Sequence, residues 1–370
     1  MTAKLVLIAA GGTGGHLFPA EALANALRRR ELNVALASDA RVGAIAESFP
    51  ADEVVRVPAA TPSGRSPAQI VKATLVLGLG VVRAVQVIRR LQPAVVVGFG
   101  GYPTVPPVLA ASLVRVPTLI HEQNGVMGRA NRFLAPRAAT IATGFAEVRS
   151  IPRTRARIVH TGNPVRPAVV AAARTPYPPL DGAVRLLVFG GSQGARVMSE
   201  VVPPALEALP RDILSRLSVI QQAREEDLAR ARSHYAKLGV EAEVAPFFRD
   251  LPQRMADSHL VVSRSGASTV AELAAIGRPA ILVPLPGAID QDQAANAEVL
   301  ARIGAATAIP QPEFTPQRLA GEIAARVNDP ARLTRAAAAA KSAGILDAAD
   351  RLAGHVHELA TLNREDENRS

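Results

Sequence analysis

The chain contains no cysteine and no tryptophan in its 370 residues. The first absence excludes a disulfide scaffold, a thiolate metal site and a cysteine nucleophile, and it agrees with a reducing compartment. Aromatic residues make up only 3% of the sequence, so any core must be built from Ala, Val, Leu and Ile. The marks of a nucleic-acid binder are missing too: there is no zinc-finger spacing, no aromatic RNP-like stretch and no dense Lys/Arg block. The formal net charge is nevertheless +10. A basic chain without those motifs is expected to meet phosphates and anionic lipid, and no nucleic acid. The longest uncharged apolar run, Ala73 to Val82, lies between Lys72 and Arg83. It falls short of the about 20 residues that a membrane-spanning helix needs. The chain is therefore expected to be soluble or peripheral.

Apolar residues form 48% of the sequence, enough for a sizeable core, and the length suggests two domains at roughly 150 residues each. Leu5 to Ala10 is short, apolar and bounded by glycine, which predicts a buried parallel strand rather than a signal core. Gly11-Gly-Thr-Gly-Gly15 follows, then a helix with Leu17, Ala20, Leu23, Ala24 and Leu27 on one face. Further strands are predicted at Val34–Ala37, Ala94–Val97 and Thr118–His121. The pattern restarts with Arg185–Phe189, the turn Gly190-Gly-Ser-Gln-Gly194 and a helix, with later strands at Leu217–Gln221, Leu260–Ser263 and Ala280–Pro284. Strands alternating with helices imply an α/β architecture of two doubly wound, Rossmann-like domains. The predicted boundaries are 1–162, a hinge at 163–181, 182–345, and a terminal helix with polar tail at 346–370. In such folds ligands bind at the carboxyl ends of strands, so two domains facing across a cleft would each hold one ligand.

Each motif has a plain alternative. Both glycine loops precede helices and offer N–H groups to phosphates, but tight βα turns look the same. The first loop is not the G-x-G-x-x-G dinucleotide fingerprint, because Leu17 takes the third glycine position, although Asp39 ends a strand where a ribose-binding acid would sit. The second is not a Walker loop, since Ala195-Arg196 replaces Gly-Lys. His121-Glu122 is not a zinc-protease motif, because Gly125 stands at the second His position. His16, at a loop–helix junction, would be held neutral by the helix end and could accept a proton, or it could simply pack on its own loop. Glu272 is predicted about one turn into a helix, able to take both ribose hydroxyls; alternatively Thr269-x-x-Glu272 is a capping box. Asp290 to Ala297 reads as a polar loop or a solvated helix start. Pro203-Pro204 predicts a late start or a kink in the helix after the second glycine loop.

Six segments taken in order resemble the MurG family of UDP-N-acetylglucosamine transferases. They are Gly11–Ala20, Gly100–Pro106, His121–Asn131, Gly162–Arg166, Gly190–Arg196 and the Ser263-Arg-Ser-Gly-Ala helix motif. The resemblance implies a GT-B fold and inverting transfer of N-acetylglucosamine from UDP to an undecaprenyl-linked N-acetylmuramoyl-pentapeptide. No His/Asp/Glu cluster in the sequence calls for a catalytic metal, and no cofactor is expected. It implies that the C-terminal domain binds the donor. There Gly191 and Ser192 would meet the diphosphate, Arg166 the nucleotide region, and Phe248 the uracil. Ala267, Ser268, Thr269, Val270, Ala271 and Glu272 would line nucleotide and ribose, and Gln293 would meet the sugar. Thr13, Gly14, Gly15 and Asn124 would close the donor site from the N-terminal side. The acceptor would use His16, Tyr102, Pro103 and Glu122. The family commonly has Leu where Ser268 stands and Ile where Phe248 stands.

His16 is the candidate base, with Asp39, Glu122 and Asp290 left open for that role. The implied place is the cytoplasmic face of the bacterial inner membrane, held peripherally. The contact expected with anionic lipid is Ile70 to Arg90, whose Leu75–Val82 stretch is broken by glycines and flanked by Lys72, Arg83, Arg89 and Arg90. The alternative for this segment is a core helix with basic ends. Rival functions are a UDP-N-acetylglucosamine 2-epimerase, another glycolipid transferase of the same fold, and a UDP-sugar-binding module without catalysis.

Overall fold

A computed structural model describes residues 4–11, 14–39, 49–60, 67–191, 194–287 and 290–367. The chain divides into two compact units, Met1–Arg166 with Leu346–Ser370, and Pro167–Ile345.

Among its described residues the first unit carries seven strands: β1 (Leu5–Ala9), β2 (Asn33–Ser38), β3 (Glu53–Arg56), β4 (Val95–Gly98), β5 (Thr118–Glu122), β6 (Thr140–Thr143) and β7 (Arg157–His160). They form one parallel sheet in the order β3-β2-β1-β4-β5-β6-β7. Its helices are α1 (Gly14–Arg28), α2 (Pro67–Leu91), α3 (Val105–Leu113) and α4 (Arg129–Leu134). Side chains alternate across β1, as the strand period of two requires. Val6 and Ile8 enter a core with Leu17, Leu23 and Leu27 of α1. Leu7 and Ala9 enter a second core with Ala84 and Ile88 of α2, Val108 of α3 and Leu134 of α4. A sheet covered on both faces explains why its strands read as unbroken apolar runs.

The second unit has β8 (Val184–Phe189), β9 (Leu217–Gln222), β10 (Glu241–Ala245), β11 (Leu260–Ser263), β12 (Ala280–Leu282) and β13 (Ala306–Ala308). These are also all parallel, in the order β10-β9-β8-β11-β12-β13. Its helices are α5 (Pro167–Ala172), α6 (Arg196–Glu207), α7 (Arg211–Leu214), α8 (Glu225–Leu238), α9 (Leu251–Asp257), α10 (Ala267–Ile276), α11 (Asp292–Arg302), α12 (Pro316–Val327) and α13 (Pro330–Ser342). The last helix, α14 (Ala348–Glu367), belongs to the first unit, where Leu352, Ala353 and Val356 complete the core around α1.

Two sequence expectations are corrected. Helix α6 begins at Arg196, directly after the glycine loop, and is continuous through Pro203 and Pro204, so it does not start late. Met198, Val202, Ala205 and Leu206 are all buried in the core of the unit, and that burial outweighs the two missing backbone donors. Thr269 is not a cap. Gly266, with non-helical φ −59° and ψ 148°, takes the N-cap position, and Thr269 already lies in the first turn of α10. Of the two readings of the polar segment after Asp290 the helix start holds, with Asp292 beginning α11.

Candidate active site

In each sheet the strand order reverses once, between β1 and β4 and between β8 and β11. Such switch points open a crevice at the carboxyl ends of the strands. Both glycine loops lie there.

In the first unit, Gly11 follows β1 and Phe99-Gly100-Gly101 follows β4. Gly100 and Gly101 have φ of 82° and 72°, a left-handed backbone that favours glycine. The resulting turn carries Tyr102 and Pro103 back toward the β1 loop. The His16 imidazole is enclosed by this turn: a Cβ on Gly101 would lie 3.4 Å from its Cε1, and one on Gly11 would lie 3.8 Å from its Nδ1 and 3.5 Å from Pro103 Cγ. His16 and Pro103, more than eighty positions apart in sequence, are thus neighbours. Thr104 pins the turn by donating its hydroxyl to Gly100 O at 2.6 Å and to Ala9 O at 3.2 Å.

Glu122 ends β5 and is 2% exposed. Its Oε1 accepts from the Asn124 backbone N–H at 2.9 Å and from Asn124 Nδ2 at 3.2 Å. Its Oε2 accepts from Gly128 N–H at 3.0 Å and Asn131 Nδ2 at 2.8 Å. Burial pushes the carboxyl pKa upward, and these four donors pull it back. A carboxyl held in this way sets the orientation of Asn124. Next to it, Gln123 Nε2 donates to Phe99 O at 3.0 Å, and Asn163 Nδ2 donates to Gln123 O at 2.9 Å. Gly144 admits this Asn163, whose Oδ1 would lie 2.2 Å from any Cβ there. Arg166 lies over the Phe18 ring of α1, 4.4 Å from its centroid, and its charge reaches Glu21.

In the second unit, a Cβ on Gly190 would meet Ala195 N at 2.1 Å, so only glycine lets the chain turn from β8 into α6. Gly191 and Gly194 have φ of 87° and 67°. Gln222, at the end of β9, braces the loop by accepting from Gly190 N–H at 3.2 Å and donating to Pro246 O at 3.1 Å. Thr13 and Ser192 lie outside the described residues. Ala267 to Glu272 form the first part of α10, with Glu272 buried. Gln293, in the first turn of α11, accepts at Oε1 from Leu285 N–H at 3.0 Å, and its carbonyl takes the Ser265 hydroxyl at 2.8 Å. The Phe248 ring is buried, with the Arg254 guanidinium 4.3 Å from its centroid. Its neighbour Phe247 is 60% exposed.

Among the described residues no three His, Cys, Asp or Glu side chains are grouped to hold a metal ion. Residues 6–143 match the glycosyltransferase family 28 N-terminal domain, and residues 185–352 match the glycosyltransferase family 28 C-terminal domain. The chain is 65% identical, over 96% of its length and 98% of that protein, to the UDP-N-acetylglucosamine--N-acetylmuramyl-(pentapeptide) pyrophosphoryl-undecaprenol N-acetylglucosamine transferase of Methylorubrum extorquens. The crystal structure of Acinetobacter baumannii MurG is similar with a TM-score of 0.79 and 27% identity, over 96% of this chain and 99% of that one. A UDP-GlcNAc 2-epimerase from Neisseria meningitidis, solved with UDP-GlcNAc bound, reaches a TM-score of 0.68 at 12% identity over 96% of this chain and 100% of that one, a likeness of fold alone.

Proposed function

The chain belongs to glycosyltransferase family 28, and from that premise we propose that it transfers N-acetylglucosamine from UDP to an undecaprenyl-pyrophosphoryl-N-acetylmuramoyl-pentapeptide, a step of peptidoglycan synthesis. The observation that carries this reading is likeness across both units: 65% identity over 96% of the chain to a transferase of that name. The test is incubation with labelled UDP-N-acetylglucosamine, with and without the lipid-linked acceptor. Label should move to lipid and UDP should be released only when acceptor is present. Turnover of the donor alone to its 2-epimer, free or still on UDP, would favour the epimerase instead, and binding without turnover or UDP release would favour a plain binding module.

The donor roles assigned to the second unit are Gly191 and Ser192 for the diphosphate, Phe248 for the uracil, Ala267 to Glu272 for nucleotide and ribose, and Gln293 for the sugar. The buried Glu272 supports its assignment, because a carboxylate in that position is no longer explained by capping. Thr13, Gly14, Gly15, Asn124 and Arg166 are the assigned donor contacts of the first unit, with Tyr102, Pro103 and Glu122 on the acceptor side. Thr13 and Ser192 rest on sequence alone. Inverting transfer breaks the bond from the sugar's C1 to the diphosphate oxygen, which keeps the electron pair. The acceptor hydroxyl forms the new bond and loses its proton. His16, held between Gly11, Gly101 and Pro103, is the assigned acceptor of that proton. The N–H groups of the second glycine loop at the start of α6 are suited to the charge that develops on the departing diphosphate.

The proposed place of action is the cytoplasmic face of the bacterial inner membrane, reached through α2. That helix is continuous from Pro67 to Leu91, although Gly78 and Gly80 lie within it. By length and composition alone Gln69–Leu91 could cross a bilayer. One side, with Ala73, Ala84, Val87 and Ile88, is buried. A Cβ on Gly80 would lie 2.1 Å from Pro58 O, so that glycine lets the helix lie close on the body of the unit. The opposite side exposes Val71, Leu75, Leu79 and Val82, one helical stripe with steps of four, four and three. Leu75 and Leu79 are 65% and 66% exposed, which counts against the core-helix alternative. Exposed leucines beside Lys72, Arg83 and Arg89 suit the headgroup boundary of an anionic bilayer.

A further inference from the structure

The loop that follows β9 brings a cation to the second glycine loop, and nothing in the motif pattern marks it. Gln222 fixes the carboxyl end of β9 against Gly190 N–H at 3.2 Å. Two residues later Arg224 forms the N-cap of α8, with φ −64° and ψ 156°. A Cβ on Gly194 would lie 3.1 Å from Arg224 Cγ. The aliphatic stem of Arg224 therefore lies across the glycine that closes the loop. Among the described residues its guanidinium makes one loose ion pair, 3.8 Å from Glu226, the two side chains being 41% and 66% exposed. Exposed pairs of this kind are weak, so the guanidinium is easily drawn to a stronger anion. The other arginine at this loop, Arg196, is turned along α6 to Glu200 at 2.7 Å. Asp227 is turned to Arg230. The first turn of α8 is otherwise acidic, with Glu225, Glu226 and Asp227, and would repel a phosphate if Arg224 were absent.

We infer that Arg224 is a diphosphate-binding residue of the donor site, reaching over Gly194 to the leaving group's phosphates. This rests on the reading of the donor as a UDP-sugar. A planar guanidinium pairs well with phosphate oxygens, and such charge-assisted bonds are about twice as strong as neutral ones. Their benefit grows as negative charge collects on the departing diphosphate.

Calorimetric titration of the full chain with UDP and with uridine tests this. Arg224→Met keeps the stem that packs on Gly194 and removes the charge. It should weaken UDP binding about tenfold while uridine binding and the melting temperature stay as in wild type. Arg224→Lys should recover most of the loss. Glu226→Gln, which removes the competing carboxylate, should leave UDP binding unchanged or tighter. If Arg224→Met binds UDP like wild type, the inference is wrong while the UDP-sugar reading stands. Equal losses in Arg224→Met and Glu226→Gln would mean that the arginine serves only its ion pair. Equal losses for UDP and uridine, with a lower melting temperature, would mean that it serves only the fold, and either result overturns the inference. Failure of wild type to bind UDP at all would remove both the inference and the donor reading.

Discussion

His16 and His121 belong to the same unit and their surroundings differ in kind. His16 lies against two glycines and Pro103 at a switch point, in reach of the crevice where ligands bind. His16→Ala should lower kcat by about 10²–10⁴-fold, the usual value of a general base, with UDP affinity little changed. A kcat within a few-fold of wild type would pass the role to a carboxylate, Asp39, Glu122 or Asp290, or to water. His121 is fully buried, with Nε2 placed 3.1 Å from Gly162 O and its ring against Phe99. Burial lowers its pKa from 6.5 to about 4, the Gly162 hydrogen bond opposes this, and nearby His160 adds to it. The unfolded chain takes up that proton near pH 6.5 and the folded chain only near 4, so stability is full above 6.5 and falls on acidification through this window. The difference amounts to roughly 3 kcal/mol. Glu122, whose pKa is raised by burial, contributes with the opposite sign. Urea midpoints of wild type and His121→Gln, compared from pH 7 to pH 4.5, isolate the histidine: the wild type should lose stability more steeply. Parallel curves would show that His121 is not the group being titrated.

Helix α2 shows how a surface element can look like a core one. Its composition is that of a buried helix, and its apolar residues occupy two stripes rather than one. One stripe packs on the body of the unit. The other, Val71, Leu75, Leu79 and Val82, faces outward. Replacing Leu75 and Leu79 with Ser should leave the melting temperature within a degree or so of wild type. Binding to anionic vesicles, measured by co-sedimentation, should fall severalfold. Were these side chains buried, the same pair would cost roughly 1.5–3 kcal/mol each and several degrees. Helix α10 makes the complementary point. Thr269 and Glu272 have the spacing of a capping box, but Gly266 holds the N-cap position. The spacing recurs in any helix with Thr and Glu three apart, and only backbone dihedral angles say where the helix begins.

The two units are not consecutive pieces of chain. The first is closed by α14, which arrives after the whole second unit has been built. Leu352, Ala353, Val356 and Ala360 are buried beside α1, and Arg29 and Arg157 pair with Asp350 and Glu358 at 2.9 Å and 3.0 Å. Removing residues 346–370 should therefore destabilise the first unit, by roughly 1.5–3 kcal/mol for each of Leu352 and Val356. Scanning calorimetry should then show a lowered transition for that unit and an unaltered one for Pro167–Ile345. A single unshifted transition in the truncated chain would contradict this account of the core. The surplus of positive charge makes a further expectation: vesicle binding should weaken as salt rises, since exposed charges are screened beyond about 10 Å at 0.1 M.

Much of this architecture was legible in the amino-acid order. Short apolar runs predicted eight of the strands, and both glycine loops fell where a β-strand meets a helix. These are local properties: a strand's period, a turn's need for positive φ, and the lack of room for a Cβ at Gly190 act over a few residues. Tertiary structure decided the rest. The side of α2 that stays wet depends on Pro58 and α3, and the enclosure of Glu122 depends on Asn131, nine positions away. The Phe248 ring is buried while Phe247 is open, although the two are adjacent and chemically alike. Arg224 meets Gly194 only because β8 and β9 are neighbours in the sheet. Each of these outcomes turns on burial and on partners brought in by other elements, and no local period or propensity carries that information.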